Sequence, residues 1–192
     1  MTCIVGIATS DGVIIGADSM ASDGRLGLTR SDPKVFRLGR YVIGYTSSYR
    51  MGQLIRHSGA AIPTPKNPDR RWRADDERGV EEMDRFIATE FIPALRGVFE
   101  KGGWLGKTQM GRDDGGDFLV GYGSHLYAIH DDLQYARHAC GYTAVGSGRA
   151  VALGALHATA GRPPEERATA ALMAAAEFTP DVRGPFLISE TQ

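Results

Sequence analysis

The chain opens Met1-Thr2-Cys3-Ile4-Val5-Gly6-Ile7-Ala8, turns at Thr9-Ser10-Asp11-Gly12, and continues Val13-Ile14-Ile15-Gly16-Ala17-Asp18. An Asp-Gly pair between two apolar, β-prone runs is a strong hairpin signal. The pattern recurs at once. Residues 34–38 alternate, residues 41–46 are apolar, and Gly39-Arg40 joins them. The first 46 residues therefore read as two successive hairpins, an antiparallel beginning.

Ser47-Ser48 then open a helix to about residue 58, with Met51, Leu54 and Ile55 as its apolar stripe. Residues 59–78, including Arg70-Arg71-Trp72-Arg73, read as a solvated surface loop. Val80, Met83, Ile87, Phe91, Leu95 and Val98 recur at helical spacing, which predicts a long helix over about 80–100 with a kink or offset at Pro93. A glycine-rich stretch, 102–116, leads to a hairpin of 117–122 and 126–129. A short strand at 142–145 ends at Gly146-Ser147-Gly148. Two helices follow, at 149–160 and from Pro163-Pro164 to about Phe178, and then a last strand at 186–188.

The order is strands, two helices, strands, two helices, one strand. Each sheet must bury a face, and the helices come in pairs. An α+β fold with two central antiparallel sheets, each covered by a helix pair, meets both conditions as a four-layer α-β-β-α sandwich. No repeat or long linker divides residues 1–192, so one domain is expected.

Composition narrows the function. In 192 residues, 22 basic groups face 23 acidic ones, for a net charge of −1. That argues against a broad basic surface for nucleic acid. No apolar run approaches the ~18–20 residues of a membrane span. Two cysteines, Cys3 and Cys140, are too few for a disulfide framework or a zinc site. With β-structure starting at the first residues and no leader pattern, a cytoplasmic protein is expected.

Thr2, Asp18 and Lys34 stand out together. Removal of Met1 before a small residue would leave Thr2 with a free α-amine beside its own hydroxyl. That amine titrates near ~7.7–8, so a useful fraction is neutral and can act as general base toward the hydroxyl. No histidine is then needed. A lysine near the hydroxyl would stabilise the developing alkoxide, and an aspartate would hold that lysine charged and oriented. Spacing alone favours an ordinary surface ion pair for Asp18 and Lys34.

The quoted opening, the Lys34-Val35 strand start and Ala144-Val145-Gly146-Ser147-Gly148 before Ala152-Leu153-Gly154-Ala155-Leu156 resemble the proteasome β-subunit and bacterial HslV peptidase family. The resemblance runs over nearly the whole chain in the right element order. It implies an N-terminal-nucleophile (Ntn) hydrolase with Thr2 as nucleophile and Asp18 and Lys34 as its charged partners. Ser147 matches the serine near the Thr amine, and Asp181 the second aspartate that orients it. The backbone N–H of Ser48 matches the oxyanion donor. By the same analogy Ala21, Thr46 and Arg50 line the pocket for the residue before the scissile bond, where Arg50 would favour acidic or polar substrates. The implied substrate is a peptide or unfolded protein. The implied assembly is a homo-oligomeric ring, with an ATP-dependent unfoldase as candidate partner. No cofactor and no metal are implied.

Two departures stand against the family pattern. Ser47-Ser48 replace a glycine-rich turn, and Gly184 stands where the Asp-x-x-Ser pattern places its serine. These features support a rival, a catalytically silent ring subunit. A third reading is an Ntn amidohydrolase acting on a small molecule. Other motifs carry less. Gly146-Ser147-Gly148 lacks the βαβ setting and the further glycine of a dinucleotide loop. His125, His130 and His138 with Asp131 and Asp132 read as a solvated hairpin edge, and Cys3 as a buried strand cysteine.

Overall fold

Strand Cys3–Ala8 (β1) pairs antiparallel with Val13–Ala17 (β2) through the Thr9–Gly12 turn, with Val5 opposite Gly16. The Thr9 hydroxyl closes that turn by accepting from the N–H groups of Asp11 and Gly12. A computed structural model describes residues 2–22, 25–66, 76–107 and 113–191. The Arg70–Arg73 cluster and Met1 lie outside these. A small hairpin that the sequence reading omitted, Met20–Ser22 (β3) with Gly27–Thr29 (β4), follows β2. Val35–Leu38 (β5) and Tyr41–Tyr45 (β6) form the second long hairpin, as expected.

Three helical segments come next. Tyr49–Arg56 (α1) is capped by Ser48, whose hydroxyl accepts from the Arg50 N–H at 3.1 Å. Glu77–Phe86 (α2) and Ile92–Lys101 (α3) are joined by a π-helical turn, Ile87–Phe91, just before Pro93. The expected offset is thus taken up by one wide turn ahead of the proline, whose missing N–H breaks the regular ladder. A short pair, Gly106–Lys107 (β7) and Asp113–Asp114 (β8), precedes the hairpin of Phe118–Tyr122 (β9) and His125–Ile129 (β10). Then come Tyr135–Ala136 (β11), Tyr142–Gly146 (β12), Arg149–Ala158 (α4), Pro164–Phe178 (α5) and Leu187–Glu190 (β13).

One sheet has the order β12-β1-β2-β13 and the other β11-β10-β9-β6-β5, with every pairing antiparallel. The period of two along β1 explains the layering. Ile4 points between the sheets, where it joins Val13, Ile15, Val42, Leu119 and Val145. Cys3, Val5 and Ile7 point the other way, onto Ala152, Leu156, Ala168 and Leu172 of α4 and α5. The small side chains of that helix pair allow close approach. A larger aromatic cluster, with Tyr41, Phe91, Phe99, Phe118 and Tyr127, fills the space between the second sheet and α1–α3. The four-layer α-β-β-α sandwich is therefore present. One edge reading was wrong: His125 is buried at 1% exposure, while His138 is exposed.

Candidate active site

Thr2 precedes β1, Asp18 follows β2, and Lys34 precedes β5, so the two sheets bring three strand ends together. Thr2, Asp18 and Lys34 are 5%, 1% and 2% exposed. This corrects the surface ion-pair reading. The Lys34 ammonium donates to Asp18 Oδ1 at 2.8 Å and to Thr2 Oγ1 at 3.0 Å. Lys34 reaches across from the second sheet, whose β5 edge lies against β2 and β13.

Asp18 is held by the backbone around it. Its Oδ1 accepts from the Cys3 N–H and its Oδ2 from the Met20 N–H, each at 3.0 Å. A carboxylate with backbone donors and a lysine satisfies its lone pairs, as a buried charge requires. Burial pushes the Lys34 ammonium below its ordinary pKa, and the Asp18 charge opposes that shift. The Cys3 thiol is pushed up to about 12 by burial, and Asp18 adds to it, so the thiolate is disfavoured beside Thr2.

The Gly146-Ser147-Gly148 turn closes on the backbone of Thr2. The Thr2 N–H donates to Ser147 Oγ at 3.2 Å. The Thr2 carbonyl accepts from the Ser147 hydroxyl and the Gly148 N–H, each at 3.3 Å. Gly146 has φ +97°, and a Cβ there would meet the Thr2 carbonyl oxygen at 2.2 Å, so only glycine fits. Asp181 is half-buried just beyond α5, and no hydrogen bond joins it to Thr2 among the described residues.

The oxyanion assignment meets a different geometry. The Ser48 N–H donates to the Thr46 carbonyl at 2.9 Å. This tight turn bends at Ser47, whose φ is +70°, a strained value for a residue with a side chain. The Ser47 hydroxyl accepts from the Asp117 N–H at 3.1 Å and pins the turn to the start of β9. In this conformation the Ser48 N–H is engaged locally rather than aimed at an oxyanion.

Beside Thr2 lies a cleft of about 130 Å³, lined by Ala21, Ser22, Tyr45, Thr46 and Tyr49 among others. Ala21 and Thr46, which the resemblance assigns to a substrate pocket, both line this cleft. Arg50 does not: it is exposed, and its guanidinium donates to the Gly102 carbonyl at 3.2 Å. Successive helical residues point about 100° apart, so Tyr49, the first residue after the cap, faces the cleft instead. The cap at Ser48 fixes where the helix starts, and so which way Tyr49 points, but not that a cleft lies there. Among the described residues, no cluster of three or more His, Cys, Asp or Glu side chains is arranged to hold a metal. No described helix is long and apolar enough to cross a membrane.

Residues 1–48 match the family profile described as proteasome subunit. The structure superposes on a solved protein titled Thiobacillus denitrificans BPH with a TM-score of 0.77, at 19% identity, covering 99% of this chain and 97% of that one. The fold is proteasome- and HslV-like. A complex of the same Thiobacillus protein with epoxomicin gives a TM-score of 0.75 at 19% identity, covering 99% and 98% of the two chains. HslV from Trypanosoma brucei gives 0.62 at 19% identity, covering 98% of each. No curated protein sequence matches the chain. The four-layer architecture expected from the resemblance is the one observed, and Thr2, Asp18 and Lys34 lie at strand ends where its two sheets meet.

Proposed function

We propose that the chain is a threonine-type Ntn hydrolase, a single-domain peptidase that works in a cytoplasmic homo-oligomeric ring on peptide or unfolded-protein substrates. The observation that carries this reading is the buried Lys34 ammonium, 3.0 Å from Thr2 Oγ1 and paired with Asp18. A fully desolvated ion pair costs several kcal/mol in solvation, and its placement on a threonine hydroxyl gives that cost a chemical use.

Excision of Met1 exposes the Thr2 amine. The amine takes the hydroxyl proton while Oγ1 attacks the peptide carbonyl, and Lys34 stabilises the alkoxide as it forms. The amine then returns the proton to the leaving peptide nitrogen. Water, activated by the same amine, hydrolyses the ester. Ser147 holds the Thr2 nitrogen in place, and Asp181 would orient the amine once Met1 is gone. Ser48 N–H would serve the oxyanion after the Thr46–Ser48 turn opens. An ATP-dependent unfoldase is the candidate partner.

Intact-mass analysis with an epoxyketone probe tests the reading. The expected result is loss of one methionine residue and a single adduct on Thr2. Thr2→Ala abolishes the adduct, and Lys34→Ala slows its formation by about two orders of magnitude or more. A folded chain that retains Met1 and stays unlabelled overturns it. That outcome favours the silent ring subunit, a second reading supported by the engaged Ser48 N–H.

A further inference from the structure

We infer that Tyr49 and Tyr45 form a fixed aromatic wall that restricts the cleft beside Thr2 to small, uncharged side chains next to the attacked carbonyl. This inference rests on the proposed role of Thr2. It replaces the acidic or polar preference that Arg50 would have conferred.

Size comes first. The open cleft holds about 130 Å³, less than the ~150 Å³ of an enclosed cavity that binds benzene. A peptide group held at Thr2 would take up part of that space. What remains suits an Ala, Ser or Val side chain and excludes Phe or Trp.

The wall resists rearrangement because both rings are held from several sides. The Tyr49 hydroxyl donates to the Met20 carbonyl at 3.2 Å. The Arg30 guanidinium stacks 3.9 Å from the centre of its ring. Tyr45 meets Tyr49 edge-on, at 6.2 Å and 85°. Tyr45 also lies against Phe36 and directly over the backbone of Gly52, where even a Cβ would come within 2.2 Å of the ring. Swinging either ring away from the cleft would break these contacts.

Charge comes second. Arg30 is neutralised by Asp32, which takes two hydrogen bonds from it at 2.6 and 2.5 Å. Lys34 is already matched by Asp18. Burial pushes both tyrosine hydroxyls up to about 12, so they stay neutral. Among the described residues that line the cleft, no charge is left to pair with a charged substrate side chain, which would lose its water without gaining a counter-ion there. The same Tyr49 hydroxyl bond ends on Met20, whose N–H holds Asp18 Oδ2, so the wall and the charged pair share one short segment.

The test is a series of peptide epoxyketones with Ala, Val, Leu, Phe, Trp, Asp or Lys next to the reactive group, followed by intact mass on the mature protein. Ala and Val probes are expected to label Thr2 at least about tenfold faster than Phe, Trp, Asp or Lys probes. Tyr49→Ala should reduce or reverse the Ala-over-Phe preference. Tyr49→Phe keeps the ring and should keep the order. Tyr49→Leu retains apolar packing and should relax the order if Tyr49→Ala fails to fold. Equal labelling by Ala and Phe or Trp probes, or by Ala and Asp probes, in the wild type overturns the inference and leaves the nucleophile intact. Labelling by no probe overturns the nucleophile itself.

Discussion

Ser47 holds the most strained backbone in the site, and its cost is measurable. At φ +70° a side chain costs on the order of 1–3 kcal/mol, while the bond from the Asp117 N–H to its hydroxyl returns about 1 kcal/mol. Ser47→Ala keeps the strain and loses the bond. Ser47→Gly loses the bond and relieves the strain. Urea unfolding should find the glycine variant more stable than the alanine variant by about 1 kcal/mol. Equal stabilities would mean that the turn relaxes away from this φ. Single residues also mark how far the sequence could be read. Thr2, Asp18 and Lys34 were legible because their chemistry is unusual in combination. Tyr49 was not, since a tyrosine at a helix start reads as packing until the cleft beside it is known. Nor was the engaged Ser48 N–H, which depends on a φ that Ser47 does not advertise.

At the scale of elements, the hairpins and helices followed from period-two and 3.6-residue patterns and from the Asp-Gly and Gly-Arg turns. The β3–β4 hairpin escaped because its strands are three residues each, too short to show a period. The approach of one sheet to the other depends on β6. A Cβ at Gly44 would lie 2.6 Å from Ile4 Cγ2 and 2.7 Å from Ile15 Cγ2. Gly44→Ala must push β6 away from β1 and β2, at a cost of about 1–3 kcal/mol. Because Thr2 belongs to one sheet and Lys34 to the other, the same shift should lengthen their 3.0 Å contact. The expected outcome is a lowered unfolding midpoint together with slower labelling of Thr2. A stability loss with unchanged labelling would show that the strand ends move independently of the sheet interior.

For the molecule as a whole, buried ionisable groups make stability depend on pH. Cys3 keeps its proton to about 12 in the folded chain, whereas the unfolded thiol titrates near 9.0. Between these values the unfolded state has released a proton that the folded state retains, so stability falls as pH rises, by up to about 1.4 kcal/mol per unit. Lys34 works in the opposite sense. Its folded pKa is lowered below 10.5, so just below that value the unfolded state binds more protons and stability rises with pH. Cys3→Ala removes the first contribution and keeps the second. Urea unfolding at pH 8 and pH 10.5 should show wild type losing stability relative to Cys3→Ala. A constant difference would show that the thiol titrates freely in the folded state.

The sequence by itself determined the longer elements, their order, the four-layer class and the residues whose types suit the proposed chemistry, because periodicity, turn residues and side-chain type are local properties. Tertiary structure decided where those groups meet. The pairing of β1 with β2 sets Thr2 beside Asp18, but only the packing of one sheet on the other brings Lys34 within 3.0 Å of the hydroxyl and removes all three from water. It also decided that Arg50 leaves the cleft and Tyr49 walls it. Burial and distance between segments far apart in the chain are properties of the packed whole, and no local pattern of residues contains them.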